Sequence, residues 1–274
     1  MTQILAFSGK KGSGKNTLCN FLHGYQLKSF GIIDYFEITD EGELVIETLV
    51  RDEQGKEKKG KGLVDITRTD IEFAMWAMDN VWPFVKHYAF ATALKEILIG
   101  LFDIPKDMVY GTDEQKDQFT QYKWENMPVK VKGKSGFMTG REFMQYFGTD
   151  ICREMYSDVW TNRTIKDIIQ EESKFSVISD ARFENEVKAV QNAGGKVIRL
   201  TRTTKGKDIH KSELALDNYT EFDAVIDNQN MSIEESCQHL VQLIDSWGWM
   251  SKDNVSLVKE YSPAAKRQFT TSIK

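Results

Sequence analysis

The sequence predicts an α/β fold: a parallel sheet with helices on both faces, plus a β-hairpin insertion and a mostly helical region for binding substrate. Three observations predict it. Short apolar runs alternate with stretches of helical periodicity along most of the chain, the pattern of strands buried under helices. The chain opens as strand, glycine-rich loop and helix. Its 274 residues, 41% hydrophobic and 28% charged, suffice for a large core. Right-handed crossovers then gather the strand C-termini at one edge, where ligands bind.

The elements follow in order. Ile4 to Phe7 is a short apolar run closed by Ser8-Gly9 and reads as a buried strand. After the glycine-rich segment, Leu18, Phe21, Leu22 and Tyr25 have the spacing of one helix face. Between 32 and 70, Ile32–Phe36 and Leu44–Ile46 alternate with the turn formers Asp40-Glu41-Gly42 and Asp52-Glu53-Gln54-Gly55. This reads as a hairpin insertion ending in a lysine-rich loop, Lys56 to Lys61, either a solvated tip or an anion or partner site. Thr69-Asp70-Ile71-Glu72 is a capping box before a Met- and Trp-rich helix that Pro83 ends. His87 to Phe90 is the expected second strand of the main sheet, and Leu94, Ile97, Leu98 and Leu101 form a helical stripe.

Residues 108–138 are polar with few periodic signals, as in a lid or binding loop. Thr139-Gly140-Arg141-Glu142 opens a helix, and helix-like text runs on to about Ser173. Phe175 to Ser179 is a third strand ending at Asp180; the helix after it stops at Gly194-Gly195. Lys196–Leu200 and Phe222–Ile226 are the fourth and fifth strands, and Ser232 caps a last amphipathic helix with Cys237, Leu240, Val241 and Ile244. The expected division is a core of 1–31, 84–107 and 174–250, a hairpin insertion of 32–70, a substrate-binding region of 71–83 and 108–173, and a flexible tail of 251–274.

Charge and composition narrow the function. Lys+Arg is 36 and Asp+Glu 41, a net charge of −5. Neutralising a nucleic-acid backbone needs clustered Lys and Arg, so direct nucleic-acid binding is not expected. The apolar runs are too short to span a membrane, and Met1 to Phe7 lacks a basic start and a cleavage site, which points to the cytoplasm. Cys19, Cys152 and Cys237 are dispersed and read as buried thiols on helix faces in a reducing compartment. Four histidines show no metal-ligand spacing.

Gly9-Lys10-Lys11-Gly12-Ser13-Gly14-Lys15 fits G-x-x-x-x-G-K, the phosphate-binding P-loop. Glycines let successive N–H groups point at a phosphate, the helix N-terminus adds partial positive charge, and Lys15 reaches the outer phosphates. By composition this pattern arises by chance roughly 0.1 times in such a chain, before a strand ahead and a helix behind are also required. Lys10, Lys11, Gly12, Ser13, Gly14, Lys15, Asn16 and Thr17 are therefore the expected ATP-binding residues. Asn16 stands where Ser or Thr normally supplies a hydroxyl to Mg²⁺, so Asn16, Thr17 and Asp180 are the candidate metal ligands. Asp180 ends an apolar strand like a Walker-B carboxylate, with helix capping as the plain alternative. Arg182 follows it, Arg141 and Gln145 share a helix face, and Arg199 and Arg202 flank the end of the fourth strand. Phosphoryl transfer wants such cations around the transferred group.

Taken together, these residues resemble the deoxynucleoside monophosphate kinases of T-even and related tailed phages, within the P-loop nucleoside monophosphate kinase-like fold. The resemblance runs from about Ile4 to Trp247 and is weaker over 32–70. It rests on Ser8-Gly9 through Gly14-Lys15-Asn16-Thr17, Phe90-Ala91 with Leu94-Lys95, Arg141 with Met144-Gln145, and Gly148-Thr149-Asp150. Asp180, Arg182 and Glu186, then Arg202, His210 with Glu213, and Asp227-Asn228 continue it. The family has an acidic residue where this chain has Asn16.

The resemblance implies an ATP- and Mg²⁺-dependent kinase of deoxynucleoside monophosphates feeding viral DNA synthesis. It implies that Lys95 and Arg141 flank the acceptor phosphate, with Gln145, Gly148 and Asp150 beside them. Thr149, Trp160, Asp180, Arg182 and Glu186 would line the acceptor pocket, and Arg202 would lie toward ATP. Lys15, Arg141, Asp180 and Arg182 are the expected catalytic residues, and the middle segment is the place for a homodimer contact. The rivals are a P-loop kinase of another small acceptor, which would make little ADP with any dNMP; a regulatory NTP-binding module, which would hydrolyse slowly without acceptor; and a DNA-acting NTPase, which DNA would stimulate.

Overall fold

The computed structural model describes residues 2–51, 57–68, 70–203 and 214–249. The expectations for Asp52–Lys56, Thr69, His210, Glu213 and the 251–274 tail lie outside them. The chain divides into two compact units, Met1–Tyr88 with Ile168–Lys274, and Ala89–Asp167.

The first unit is built on five parallel strands: β1 (Gln3–Ser8), β5 (Val85–Tyr88), β8 (Phe175–Ala181), β9 (Lys196–Leu200) and β10 (Ala224–Ile226), in the order β10-β9-β1-β8-β5. β1 is central, with a neighbour on each side, and every residue from Ile4 to Ser8 is buried. Helices α1 (Lys15–Ser29) and α9 (Ile233–Ser246) pack on one another and share a core with the sheet through Leu18, Phe21, Leu22, Leu240, Val241 and Ile244. α8 (Glu184–Asn192) packs on β1 and β9 and gives way to Gly194, whose φ of 81° only glycine adopts easily. The parallel α/β sheet covered by helices is as expected, with the second strand placed earlier, at Val85–Tyr88 rather than His87–Phe90. The structure ends the third strand at Ala181, one residue past Asp180.

The 32–70 insertion contains the expected hairpin, with a third antiparallel strand paired beside it. Its strands are β2 (Phe36–Ile38), β3 (Leu44–Arg51) and β4 (Glu57–Val64), in that order. Ile32–Tyr35 is not strand, and the lysine-rich residues 57–61 belong to β4, paired from Arg51↔Glu57 to Leu44↔Val64. Alternate residues face the core: Phe36, Leu44 and Ile46 are buried with α1. The approach is close enough to require glycine. A Cβ on Gly24 would lie 2.2 Å from Phe36 Cδ2, and one on Gly42 (φ 85°) would lie 2.3 Å from Thr17 Oγ1. α2 (Ile71–Asn80) follows, and its N-cap is Asp70, whose carboxylate accepts from Phe73 N–H at 3.0 Å. The helix ends at Asn80, before Pro83.

In the second unit, the stretch that looked unstructured holds short elements: α4 (Lys106–Tyr110), α5 (Asp113–Lys116), β6 (Phe119–Lys123) and β7 (Phe137–Thr139). α3 (Thr92–Phe102) precedes them, and α6 (Gly140–Gln145) begins at the expected Thr139/Glu142 capping box. The helical text after it is not one helix. A π-helical stretch, Tyr146–Arg153, precedes α7 (Val159–Glu171), and Trp160 Nε1 donates to Gly148 O at 3.1 Å. Phe102, Tyr122, Phe143 and Phe147 form an aromatic cluster, with ring centroids 4.7–6.4 Å apart. Cys19 and Cys237 are buried as expected, while Cys152 is only half-buried.

Candidate active site

The P-loop lies between the end of β1 and the start of α1, at the C-terminal edge of the sheet. Its glycines do distinct work. Gly9 must be glycine because a Cβ there would meet Ser13 Oγ at 2.5 Å and Leu200 O at 3.0 Å. Gly12 and Gly14 have φ of 74° and 95°, and Gly14 starts α1 with no side-chain cap. Leu18 N–H bonds back to Gly14 O at 3.1 Å, and the first turn of α1 contains no acidic residue. The amides of Lys15, Asn16 and Thr17 therefore precede the first helical bond, and no carboxylate on the first turn offsets the positive helix end. Lys15 Nζ curls over the loop, donating to Gly9 O at 2.6 Å and Lys10 O at 2.8 Å. An anion seated in this loop would meet an ammonium already held over it.

Asn228, just beyond β10, fastens the loop. It is 2% exposed; its Nδ2 donates to Ser13 O at 2.8 Å, and its Oδ1 accepts from Arg202 N–H at 3.0 Å. One side of the amide meets a carbonyl and the other an N–H, so its orientation is fixed by its partners. Arg202 completes the clasp, with Nε and Nη2 donating to Asn228 O at 3.1 and 2.9 Å and Nη2 to Met231 O at 2.6 Å. Sequence reasoning gave Arg202 to the nucleotide and noted Asn228 only as part of a resemblance; its place just after a strand, at the ligand edge, was the available signal.

Beside the loop, Arg199 donates to Ser8 Oγ at 3.0 Å and meets Asp217 at 3.4 Å, while Lys10 meets Asp217 at 3.1 Å. These groups border a cleft of about 370 Å³ whose apolar wall includes Leu216 and Phe222. On the other side, burial pushes the Cys19 thiol up, Lys15 opposes that shift and Asp180 adds to it. Lys15 and Asp180 are thus both within electrostatic reach of the start of α1. Asp180 is the penultimate residue of β8, and the backbone turns sharply after it: Glu186 Oε2 accepts from Arg182 N–H at 2.6 Å and Phe183 N–H at 3.1 Å. Glu186 is 2% exposed, so it holds the Arg182 turn in place from below.

The candidate magnesium donors are hard oxygens, which suits that ion. Asn16 is exposed at the start of α1, whereas the Thr17 hydroxyl lies under Gly42 of the insertion. Among the described residues no group of three or more His, Cys, Asp or Glu side chains could hold a metal. An ion held mainly by nucleotide phosphates and water, with Asn16 and Asp180 assisting, fits this donor set.

The remaining expected residues sit in the second unit. Arg141 presents its fork to two carboxylates, Nε to Asp117 and Nη2 to Asp113, both at 2.7 Å. Gln145 closes α6, and Gly148, Thr149 and Asp150 lie in the π-helical stretch that Trp160 pins. π-Helical insertions are frequent at functional sites. A Cβ on Gly148 would lie 2.6 Å from Leu94 Cδ2. Lys95 Nζ sits 4.4 Å from the centre of the Tyr110 ring, whose hydroxyl burial pushes up to about 12.

The family model for deoxynucleotide monophosphate kinase matches residues 3–239. The chain belongs to this family. A protein of Acanthamoeba polyphaga mimivirus, named "Putative deoxynucleotide monophosphate kinase", is 28% identical over 176 residues, 60% of this chain and 84% of that protein. Membership in the deoxynucleotide monophosphate kinase family makes this a nucleotide kinase with small nucleotide substrates. Among the described residues no helix is long and apolar enough to cross a membrane.

Proposed function

We propose that the protein transfers the γ-phosphoryl group of ATP to a deoxynucleoside 5′-monophosphate, giving ADP and the deoxynucleoside diphosphate. The observation that supports this most is the P-loop: an uncapped α1 start, free of acid in its first turn, with Lys15 held over it in a chain of this family. An acceptor phosphate oxygen attacks the γ-phosphorus in line, the bond to the β,γ-bridging oxygen breaks, and ADP leaves with that electron pair. The acceptor is already anionic, so positioning and charge stabilisation suffice.

In this reading Lys10–Thr17 bind the donor phosphates, and Lys15 follows the charge as it shifts to the leaving oxygen. Arg182, held by Glu186, and Arg141 meet the phosphates from the acceptor side. Lys95, Gln145, Gly148–Asp150 and Trp160 form or support the acceptor site, and Arg202 holds the loop through Asn228 on the donor side. Magnesium would neutralise charge on the ATP phosphates, with Asn16 and Asp180 nearest to hand. The kinase core would be 1–31, 84–107 and 174–250, with 71–83 and 108–173 serving the acceptor. The setting we infer is the cytoplasm of a phage-infected cell, supplying DNA precursors, with no nucleic-acid partner and a homodimer through the middle segment. Chromatography of products after incubation with ATP, Mg²⁺ and each common dNMP and NMP tests this. Diphosphate from one or more dNMPs is expected; no diphosphate from any of them would refute it.

A further inference from the structure

Arg141 is the expected acceptor-side cation, yet part of its guanidinium is already engaged within its own unit. Nε donates to Asp117 Oδ1 and Nη2 to Asp113 Oδ1, both at 2.7 Å. The two carboxylates stand four residues apart, at the first residue of α5 and at its C-cap, and so share one face of a single helical turn. Like charges at that spacing repel one another in an isolated helix. Here the guanidinium bonds both. α5 is also fixed by a full capping box: Thr112 Oγ1 accepts from Gln115 N–H at 3.3 Å, and Gln115 Oε1 accepts from Thr112 N–H at 2.8 Å. α6 reaches this turn by close approach. Gly140 N–H donates to Gln118 O at 3.0 Å, and a Cβ on Gly140 would lie 2.7 Å from Met108 O and 3.2 Å from Lys116 O. A side chain there would push α6 away from α4 and α5, and the next residue is Arg141.

Stability alone does not account for this arrangement. Both aspartate side chains are more than half exposed, where an ion pair contributes at most about 1 kcal/mol. Orientation is the larger consequence. A guanidinium is planar and carries five N–H donors in fixed geometry. Two of those on Arg141 are engaged by α5, one from Nε and one from Nη2. The other three, including both on Nη1, have no partner among the described residues. Asp113 and Asp117 thus set the plane of the guanidinium and leave its Nη1 end for a ligand. Parallel N–H groups of this kind suit two oxygens of a phosphate. Gln145 stands one turn further along the same face of α6.

We propose that Asp113 and Asp117 are positioning residues for phosphoryl transfer, holding Arg141 so that its remaining N–H groups meet the phosphate of the acceptor monophosphate. This deepens the kinase reading and rests on it. The sign of the effect separates positioning from charge. Two carboxylates near an anionic acceptor repel it, so charge alone predicts tighter acceptor binding once they are removed, whereas positioning predicts the reverse. The test is kcat and KM for the common dNMPs and for ATP, with the full chain and Mg²⁺. The variants are an Asp113→Ala, Asp117→Ala pair, an Asp113→Asn, Asp117→Asn pair, Arg141→Ala, and Arg141→Ala combined with the alanine pair. The alanine pair is expected to lose roughly tenfold or more in kcat/KM for the acceptor, with the KM for ATP unmoved. The asparagine pair, whose amide oxygens still accept, should stay within about threefold of wild type. In the Arg141→Ala background the alanine pair should change activity by no more than about twofold, since the aspartates act through the arginine. Melting temperature checks folding; should the alanine pair not fold, Asp117→Ala, which removes the Nε contact, takes its place. An alanine variant that uses the acceptor as well as wild type or better, or that loses the same factor with and without Arg141, overturns this proposal alone. Acceptor kinetics unchanged in Arg141→Ala remove that arginine from the acceptor site and this proposal with it, while no diphosphate from any dNMP with the wild type overturns the kinase reading itself.

Discussion

Replacing Asn228 with alanine should loosen the P-loop without touching a phosphate. The substitution removes two hydrogen bonds, Nδ2 to Ser13 O at 2.8 Å and Oδ1 from Arg202 N–H at 3.0 Å, from a side chain that is 2% exposed. Each bond contributes about 1 kcal/mol net, and a buried carbonyl left without a partner adds a desolvation cost of about 1 kcal/mol or more. The expected loss is therefore about 2–4 kcal/mol, or roughly 5–12 °C in melting temperature for a domain of this size. Asn228→Asp separates the two contacts. It keeps the acceptor for Arg202 N–H but sets a carboxylate against the Ser13 carbonyl, so it should be at least as damaging as alanine at neutral pH. Urea denaturation with and without ATP reads both effects, since binding to the native state adds stability according to occupancy. The variants should lose part of the ATP-induced gain, because the loop they release is the one proposed to hold the ATP phosphates. An Asn228→Ala protein within about 0.5 kcal/mol of wild type, with its ATP-induced shift intact, would refute the clasp.

Two further predictions come from the packing around α1. Gly24→Ala should destabilise the protein by about 1–3 kcal/mol, because the new Cβ would lie 2.2 Å from Phe36 Cδ2 and the inserted sheet would have to shift; calorimetry checks this, and a neutral result would mean that the insertion is not firmly seated. His23 is buried and its pKa is lowered to about 3 by that burial, so the folded state keeps it neutral where the unfolded chain, near 6.5, takes up a proton. Stability from this group is thus full above about pH 6.5 and declines as pH falls toward 3, by about 2 kcal/mol at pH 5. His23→Leu should lose less stability than wild type between pH 7 and pH 5 in urea melts, and equal pH slopes would contradict the assignment.

What was legible in the sequence was what depends on local chemistry. The P-loop announces itself because glycines at 9, 12 and 14 are demanded by backbone conformation and close approach. The helix starts at Thr139 and Ser232 are readable because a capping box is complete within four residues. What was not legible depends on distant partners. β4 is lysine-rich and reads as a solvated tip, yet it is an edge strand, where lysines are tolerated because one side faces solvent. The break at Tyr146–Arg153 carries one local signal, Gly148, and its other determinant is distant: the Gly148 carbonyl is met by Trp160, twelve residues on. Among the candidate arginines, sequence shows only the charge. Arg202 bonded to Asn228 and Met231 carbonyls, and Arg141 to Asp113 and Asp117, are distinctions that only tertiary contacts make.

The most direct test of the central claim is transfer of labelled γ-phosphate from ATP, in Mg²⁺, to a dNMP by the wild type and by Lys15→Ala. Label is expected in the deoxynucleoside diphosphate, and the variant, still folded, should transfer it roughly 10²–10³-fold more slowly, the scale for removing one charge-stabilising group. Label released only to water at a rate indifferent to dNMP, or near-wild-type transfer by Lys15→Ala, would contradict the account.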